Sequence, residues 1–530
     1  MLDCVRMDAH RPALICPSAR PGRRARELSF GQLHDDSDGL ARGLVARGIG
    51  PGTRTVLLVP PGPEFLLITY ALLKAGAVPI LVDPGLRRDR LRACFERAAP
   101  EAFIGSPRAH MARLALGWAR RTVRKTVLVG GPRPLAGLRR AARTVTSLPE
   151  IDPSAPAMVA FTSGSTGVPK GVVVRRDQLA GQLEAVGRIF DWRPGDVDLS
   201  TMPLFAIFGT ALGVTSVLPP MDFTRPAKAD PAMLARLARE YHVSTLFGSP
   251  ALLEPLSRFA TARGLRLESL RRVVSAGAPV PAETLRRCRA MLSEDAEVCT
   301  PYGATEALPA TVIESREILR ETAAATNRGA GVCVGRPVPG AEVEIIALSD
   351  GPIASWDQIR RVPQGEVGEI AIRAPWVSAS YLNDQENTAR AKIGLANGTF
   401  FHRIGDAGYR DEAGRVWFCG RVTQRVITET GTLFSVPCEA VFNTHPTVAR
   451  SALVGPRVAG RIRPTVCVEL EPGRHDRAAV RAELLELAAA HEHTRGIRDV
   501  LFHPGFPVDI RHNAKIERET LALWAERRLS

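Results

Sequence analysis

The sequence predicts an α/β protein in which a large N-terminal domain of helix-covered sheets, with a β-rich subdomain, precedes a small, mobile α+β domain. Three observations predict this fold. Short apolar runs alternate with amphipathic helical stretches through roughly the first 300 residues. After about Val334 strand-like runs follow at shorter intervals, and from about Val422 helices and strands mix again. We therefore expect an N-terminal domain over 1–421, with two α/β subdomains and a β-rich unit from about 334, and a C-terminal lid domain over 422–530.

The first elements are typical of a helix followed by a βαβ unit. Leucines recur at helical spacing through 33–45, and Gly48 is suited to end that helix. Residues 55–59 are typical of a buried strand, 65–75 of a helix and 78–82 of the next strand. This order favours a parallel sheet covered by helices. By the same patterns we predict strands at 126–129, 158–161, 244–247, 273–275 and 297–300, and helices at 178–190 and 232–241.

The second half of the chain is predicted from shorter runs. Strands at 343–348, 369–374 and 415–420 make up the β-rich unit. The C-terminal domain follows with a strand pair, and then with helices near 439–443 and 478–491 and strands near 452–454 and 466–470.

The composition is that of a globular protein with an excess of arginine. A chain of 530 residues is too long for one hydrophobic core, and 45% hydrophobic with 24% charged residues excludes a disordered, collagenous or coiled-coil chain. A net charge of +15 raises the question of a nucleic-acid or membrane partner. Short basic clusters such as Arg120-Arg121 and Arg139-Arg140 occur, but acidic residues are scattered among most of the other arginines. We therefore expect no nucleic-acid partner and a charge that favours small anionic substrates.

The cysteine pattern and the N-terminus indicate a cytoplasmic protein. The nine cysteines include no CxxC pair, which fits a reducing compartment. The first residues lack the long apolar stretch of a signal peptide. The most apolar region, 55–84, is interrupted by prolines and by Glu64 and Lys74, so we expect no transmembrane segment.

The strongest local motif is the loop that follows the predicted strand at 158–161 and leads toward a helix. Its glycines permit backbone conformations that expose N–H groups, and its hydroxyls and one ammonium add further donors. Such a loop is suited to hold a polyphosphate. The spacing is not that of a Walker A loop, and no GxGxxG stands at a strand–helix turn, which disfavours a Rossmann site. The donors are Thr162, Ser163, Gly164, Ser165, Thr166, Gly167 and Lys170.

This loop resembles the phosphate loop of the adenylate-forming superfamily, which contains acyl-CoA synthetases, nonribosomal peptide adenylation domains and luciferases. Further motifs of that family follow in the family's order: a segment beside the adenine, a YGxTE motif, a ribose-binding aspartate, the start of a hinge and a C-terminal catalytic lysine. Because the motifs extend over nearly the whole chain, the sequence is identified as a member. They are, in the same order, 275–279, 302–306, Gly405-Asp406, Gly420-Arg421 and 512–516.

The resemblance implies ATP and Mg²⁺ as cofactors and a role for each motif. The loop would hold the β- and γ-phosphates, Thr305 would bond the α-phosphate, and Glu306 would bind Mg²⁺. Lys515 would bridge the carboxylate substrate and the α-phosphate as the lid closes. The remaining residues would bind the adenosine: Ala276, Gly277, Ala278, Tyr302 and Gly303 beside the adenine, and Asp406 and Arg421 at the ribose.

Three departures from the acyl-CoA synthetase pattern are informative. Ala206 stands where those enzymes often carry His, and Thr423 stands where the hinge commonly has Asp. A loop that usually reads Gly-Gly, and lets a pantetheine thiol approach, has one glycine at 430–432. The same departures resemble the β-lactone synthetases of the bacterial long-chain olefin pathway. The stretches that match are 81–85, 246–252, 300–306 and 506–516.

The resemblance implies that a 2-alkyl-3-hydroxy long-chain fatty acid is adenylated and that its own 3-hydroxyl then displaces AMP to close a β-lactone. A tethered nucleophile needs no external thiol. His512 is the candidate base, and other enzymes of the same pathway are candidate partners. Two alternatives stay open: a long-chain acyl-CoA or acyl-carrier ligase, and a catalytically silent adenylate-binding protein.

Overall fold

The structure is a computed structural model that describes residues 8–20, 22–83, 85–130, 135–161, 169–508 and 516–529. Its strands are β1 (Pro12–Cys16), β2 (Arg26–Ser29), β3 (Arg54–Leu58), β4 (Val78–Leu81), β5 (Ala102–Gly105), β6 (Lys125–Leu128), β7 (Pro156–Phe161), β8 (Gly171–Arg175), β9 (Val197–Ser200), β10 (Thr215–Val217), β11 (Thr245–Phe247), β12 (Arg272–Val274), β13 (Glu297–Tyr302), β14 (Thr311–Glu314), β15 (Val332–Pro337), β16 (Glu342–Ile346), β17 (Gly368–Arg373), β18 (Ser380–Tyr381), β19 (Lys392–Gly394), β20 (Phe400–Arg410), β21 (Val416–Arg421), β22 (Val426–Thr428), β23 (Gly431–Leu433), β24 (Val448–Val454), β25 (Arg457–Val458), β26 (Arg461–Ile462), β27 (Thr465–Leu470) and β28 (Asp499–Phe502).

The helices lie between these strands. They are α1 (Phe30–Ala46), α2 (Pro63–Ala75), α3 (Arg88–Ala98), α4 (Pro107–Leu116), α5 (Ala136–Ala141), α6 (Arg176–Phe190), α7 (Pro203–Ala211), α8 (Pro231–Glu240), α9 (Pro250–Ala262), α10 (Ala282–Met291), α11 (Ser315–Glu317), α12 (Ala323–Asn327), α13 (Gln385–Ala391), α14 (Ser435–Phe442), α15 (Arg477–Ala489) and α16 (Arg518–Leu529).

The first sheet has the strand order β18-β8-β7-β4-β3-β5-β6, and β7, β4, β3, β5 and β6 run parallel. The helix after β3 ends at Gly76, whose φ of 74° is the left-handed conformation that glycine adopts without strain. One prediction was wrong in detail. The loop after β7 leads into strand β8, which pairs antiparallel with β7, before α6 begins. The run Gly171–Arg175 contains three consecutive valines, which favour an extended strand.

The second sheet joins the other α/β elements to the β-rich unit. Strands β1, β10, β9, β11, β12 and β13 run parallel, and β14, β15, β21, β20, β17 and β16 continue the same sheet in antiparallel pairs. Strand β15 pairs with both β14 and β21, so hydrogen bonding continues across the predicted change near Val334. Helices α1, α2, α6 and α7 share one apolar core with residues of both sheets, which places α6 between them.

The last part of the chain forms its own small α+β unit. Strands β24, β27 and β28 make a three-stranded sheet, and β22 with β23 makes a hairpin. The predicted mixed α/β fold class is confirmed, with strand and helix positions close to those expected from the sequence. In the described part of the chain, no helix is both long and apolar enough to cross a membrane.

Candidate active site

The adenine-side residues lie where two neighbouring parallel strands end. Ala276 to Ala278 follow β12, and Tyr302 ends the adjacent strand β13. The carboxyl ends of parallel strands are the usual ligand-binding edge of an open α/β sheet. Gly303 has a φ of 156°, and a Cβ there would lie 2.5 Å from the carbonyl oxygen of Ala307. The backbone after Tyr302 therefore folds so tightly that only glycine fits.

A ribose-type carboxylate faces this edge from the β-rich part of the sheet. Asp406 and Arg421 are register partners on β20 and β21. Arg421 donates hydrogen bonds to Asp406 Oδ1 at 2.8 Å and to the carbonyl of Ile404 at 2.7 Å. The hydroxyl of Tyr302 donates to Asp406 Oδ2 at 2.7 Å. Burial and the neighbouring carboxylate hold the pKa of Tyr302 well above its ordinary value, and Asp406 raises the pKa of Arg421. The structure thus brings three of the predicted adenosine residues together.

A second cluster surrounds Glu306, four residues beyond Tyr302. The buried carboxylate of Glu306 accepts a hydrogen bond at 2.7 Å from the hydroxyl of Tyr381 on β18. The ammonium of Lys170 lies 5.1 Å from the centre of the Tyr381 ring. Burial lowers the pKa of Lys170, while the charge of Glu306 opposes that shift. Thr305 is exposed on the turn next to Glu306. Lys170 and Glu306 thus both contact Tyr381, and Thr305 is next to Glu306 in the chain. This grouping is suited to a phosphate site.

Sequence reasoning missed a buried polar layer close to Glu306. The backbone N–H of Ser378 donates to the carbonyl of Glu306 at 2.8 Å, and the ammonium of Lys392 donates to the carbonyl of Ser378. Lys392 Nζ also lies 3.1 Å from Nδ1 of His402. Burial lowers the pKa of Lys392 to about 7, and the Glu306 charge opposes the shift. The chain has only six lysines, so the presence of a lysine at 392 could have drawn attention to this position. No recognisable motif surrounds it, however.

The residues present fit a magnesium ion that shares ligands with a polyphosphate. Mg²⁺ is usually bound by one or two carboxylates together with substrate phosphate oxygens and water. The hydrogen bond from Tyr381 uses Oε1 of Glu306, and the carboxylate is a hard oxygen donor beside a cationic lysine. Among the described residues no group of three or more His, Cys, Asp and Glu side chains could hold a metal ion alone. Glu306 is thus suited to a metal that arrives with the nucleotide.

Several predicted residues lie outside the part of the chain that the structure describes. They are the loop residues Thr162, Ser163, Gly164, Ser165, Thr166 and Gly167, and the C-terminal residues His512 and Lys515. The described neighbours fix where both segments attach. Phe161 ends β7 in the first sheet, and Ile516 packs in the apolar core of the C-terminal unit.

Two separate spaces lie against helix α6. At the carboxyl ends of β12 and β13, Ala276 and Pro301 line a narrow space together with Ile189 of α6. Ile189 also lines a neighbouring cavity of about 210 Å³, which reaches toward the opposite ends of those strands. The other residues that line this larger cavity are Ala185, Arg188, Arg272, Cys299, Val312, Glu314, Val338 and Pro339. Both spaces are lined mainly by apolar side chains, with three charged side chains at the larger one, and such a lining is suited to an alkyl chain.

Comparison with known proteins agrees with this geometry. Residues 3–382 match the family model described as AMP-binding enzyme. The chain is 49% identical to an olefin beta-lactone synthetase of Stenotrophomonas maltophilia, over 98% of this chain and 95% of that protein. It is 47% identical to an olefin beta-lactone synthetase of Xanthomonas campestris pv. campestris, over 98% and 96% of the two chains.

Solved structures show the same fold at lower identity. ATP-bound MatB from Rhodopseudomonas palustris has a TM-score of 0.79 and 20% identity, with 99% of both chains covered. The amide bond synthetase McbA from Marinactinospora thermotolerans has a TM-score of 0.78 and 23% identity, with 98% of both chains covered. The family model, the two relatives at nearly half identity and the nucleotide-type clusters at one sheet edge lead to one conclusion: the chain belongs to the AMP-binding enzyme family.

Proposed function

We propose that the chain is an ATP-dependent β-lactone synthetase that acts on a 2-alkyl-3-hydroxy long-chain fatty acid. One observation carries the proposal: the chain is 49% identical, over 98% of its length, to a protein named olefin beta-lactone synthetase. Such similarity includes both the nucleotide clusters and the C-terminal segment. The apolar space beneath α6 supports a substrate with a long alkyl chain.

In the first half-reaction, the substrate carboxylate attacks the α-phosphorus of ATP, and pyrophosphate leaves. Asp406 accepts hydrogen bonds from the ribose hydroxyls, and Tyr302 and Arg421 hold that carboxylate in place. Lys170 and the 162–167 loop bind the β- and γ-phosphates, and Glu306 would hold a magnesium ion. Bound Mg²⁺ would neutralise charge on the phosphate oxygens. Lys515 bridges the carboxylate and the α-phosphate, so that the two reacting groups are held together.

In the second half-reaction, the 3-hydroxyl oxygen attacks the acyl carbonyl carbon, and the bond from that carbon to the AMP oxygen breaks. The hydroxyl proton passes to a base, for which His512 is our candidate. The products are a β-lactone and AMP. The nucleophile is part of the substrate, which supplies a high effective concentration.

The loop that replaces the usual Gly-Gly supports ring closure over transfer to a thiol. Residues 430–432 lie at the turn of the β22–β23 hairpin, where Thr428 Oγ1 donates to the carbonyl of Gly431 at 2.8 Å. The N–H of Thr430 donates back to Thr428 Oγ1 at 3.2 Å. We infer that the threonine side chains at 430 and 432, in place of hydrogen atoms, hinder the approach of a pantetheine arm.

We further propose that 422–530 is a lid domain that brings Lys515 to the nucleotide, that the protein acts in the cytoplasm, and that other enzymes of the same pathway are its partners. Thr423 lies in the single 3-10 turn Val422–Gln424 that connects the two parts. The position of this turn, directly after Arg421, supports a hinge there.

The test is a reaction of the purified chain with ATP, Mg²⁺ and a 2-alkyl-3-hydroxy fatty acid in the absence of CoA. We expect pyrophosphate, AMP and a β-lactone, identified by mass spectrometry and NMR. Formation of acyl-CoA alone, and only when CoA is added, would instead assign a ligase.

A lysine pair tests the role of Lys515. Replacing Lys515→Ala should abolish most adenylate formation, because the bridging ammonium is lost. Lys228→Ala is the matched control, since Lys228 is exposed and belongs to none of the predicted motifs. Unchanged pyrophosphate release by the Lys515 variant would exclude the assigned role.

A further inference from the structure

Most of the net charge of the chain comes from one continuous stretch of sequence. Residues 102–149 contain nine arginines and one lysine but no aspartate or glutamate, so this stretch carries +10 of the total charge of +15. Elsewhere the acidic residues balance most of the basic ones. The stretch lies in the first sheet and comprises β5, α4, β6 and α5.

The middle of this stretch lies at one end of the first sheet. Among the described residues, strand β6 is the last strand of the sheet order and pairs with β5 alone. Helix α4 packs inward through Ala109, Ala112 and Leu116. Its other face leaves Met111 and Leu114 on the surface, with 62% and 71% of their areas exposed. Met111 and Leu114 lie three residues apart on the helix, so they protrude side by side.

Exposed arginines flank these apolar side chains along the chain. Arg108 lies in the first turn of the same helix, and Arg120, Arg121 and Arg124 follow the helix before β6; all four are exposed. In the described part of the chain, none of these four lies within 4 Å of an acidic side chain as an ion pair, whereas exposed arginines elsewhere often do, as Arg236 does with Glu240. This part of the surface therefore carries arginines without ion-pair partners together with the exposed apolar side chains of Met111 and Leu114.

We propose that the surface formed by Arg108, Met111, Leu114, Arg120, Arg121 and Arg124, here called the basic face, docks on an anionic lipid bilayer. Arginines attract acidic headgroups, and apolar side chains beside them enter the boundary between headgroups and acyl chains. A nucleic-acid backbone would use the arginines but would give Met111 and Leu114 no apolar environment. The inference goes beyond the proposed function and does not depend on it.

The test is co-sedimentation of the full-length protein with lipid vesicles. We expect binding to vesicles of phosphatidylcholine with phosphatidylglycerol, little binding to phosphatidylcholine alone, and release when salt is raised to about 0.5 M. Replacing Arg120→Gln and Arg121→Gln together should lower the partition coefficient by about 25-fold, since each cation near the surface contributes roughly fivefold. Replacing Met111→Ser and Leu114→Ser together should also weaken binding, although the charge is unchanged.

The matched control is the double variant Arg236→Gln and Arg239→Gln, which removes the same charge from the exposed face of α8. It should bind vesicles nearly as well as the unmodified protein. Equal losses in the control and the Arg120/Arg121 variant would mean that only total charge matters and would overturn the proposal. So would the absence of binding to anionic vesicles. Binding to a DNA duplex that is weakened by the arginine pair but not by the Met111/Leu114 pair would assign the face to nucleic acid instead.

Discussion

Lys392 is a partly buried lysine without an acidic side chain at ion-pair distance in the described part of the chain. Its ammonium has the carbonyl of Ser378 and Nδ1 of His402 as partners, and the ring of Phe400 lies 4.7 Å away. Burial and the two nearby lysines hold the pKa of His402 well below its ordinary value, so its ring stays neutral. Glu306 is the acidic group whose charge favours protonated Lys392. The charge of Lys392 thus depends on the carboxylate that we assign to the metal.

The pKa of Lys392 makes a prediction about stability. Its folded-state pKa of about 7 lies below the ordinary value of 10.5. Between these values the unfolded chain binds one more proton than the folded chain, so the free energy of unfolding rises with pH in that window. Replacing Lys392→Met removes this contribution. We expect the wild type to gain stability relative to the variant as pH rises from about 7 to about 9.5, measured by urea unfolding at several pH values.

Lys228→Met is the control for this experiment, because the exposed Lys228 side chain loses little hydration on folding. Its unfolding free energy should follow that of the wild type across the same pH range. Parallel curves for the wild type and the Lys392 variant would show that Lys392 is hydrated in the folded protein.

At the scale of residues, the sequence predicted groups that lie within local motifs. Tyr302 and Glu306 belong to one short segment, and Asp406 and Arg421 each stand beside a glycine. Tyr381, Lys392 and His402 could not be predicted in this way, because they come from three different strands and meet only through tertiary folding. A buried lysine has no local sequence pattern of its own.

At the scale of elements, helix α6 lines the apolar space that lies next to the nucleotide edge. Ala185 is 4% exposed and lines the cavity of about 210 Å³, whereas Ala180 of the same helix is exposed. Replacing Ala185→Phe should fill part of the cavity. We expect kcat/KM for long-chain acids to fall at least tenfold, while short-chain acids are affected little, because a few lost methylene contacts are worth about 1–3 kcal/mol. Pyrophosphate release with acids of increasing length measures this.

Ala180→Phe places the same bulk on the exposed side of α6 and should leave the chain-length profile unchanged. If Ala185→Phe lowers the rate equally for all chain lengths, the cavity does not bind the alkyl chain.

The boundaries of most elements could be predicted from periodicity, but the pairing of strands could not. The helix at 176–190 and the strands around it follow from apolar spacing and turn residues. Strand β8 was not predicted, because it lies directly after the phosphate-loop motif. That motif indicated a loop leading toward a helix, whereas residues 171–175 pair antiparallel with β7. The pairing of β15 with both β14 and β21 could not be predicted either, because the change in local pattern near Val334 does not interrupt the hydrogen bonding of the sheet.

At the scale of the whole molecule, the net charge becomes informative when the charged residues are assigned to positions in the fold. The total of +15 suggested a choice between nucleic acid, membrane and anionic substrates. The fold places the acid-free stretch 102–149 at one corner of the first sheet, far along the strand order from β8, which adjoins the phosphate loop. Substrate attraction is therefore a weaker explanation for this charge than a docking surface.

The C-terminal unit has apolar cores of its own. In the part of the chain that the structure describes, the two clusters that fill it contain no residue before Val426. The buried Glu439–Arg518 ion pair ties α14 to α16, and Arg518 also donates to Gln424 in the connecting turn. A segment with its own core should fold independently. We therefore expect 422–530, expressed alone, to unfold cooperatively in urea, as followed by far-UV circular dichroism.

The matched control for this fragment is 456–530, which lacks α14 and β24 and so loses one of the two strands that pair with β27, while β28 remains. It should show no cooperative transition. The complementary fragment 1–421 keeps Tyr302, Asp406 and Arg421 and should bind ATP, yet release no pyrophosphate because Lys515 is absent. A broad, non-cooperative transition for 422–530 would mean that this unit is stable only against the N-terminal part. In that case the C-terminal unit would need its contacts with the N-terminal part to stay folded. A rigid-body rotation about Val422–Gln424 would then be excluded.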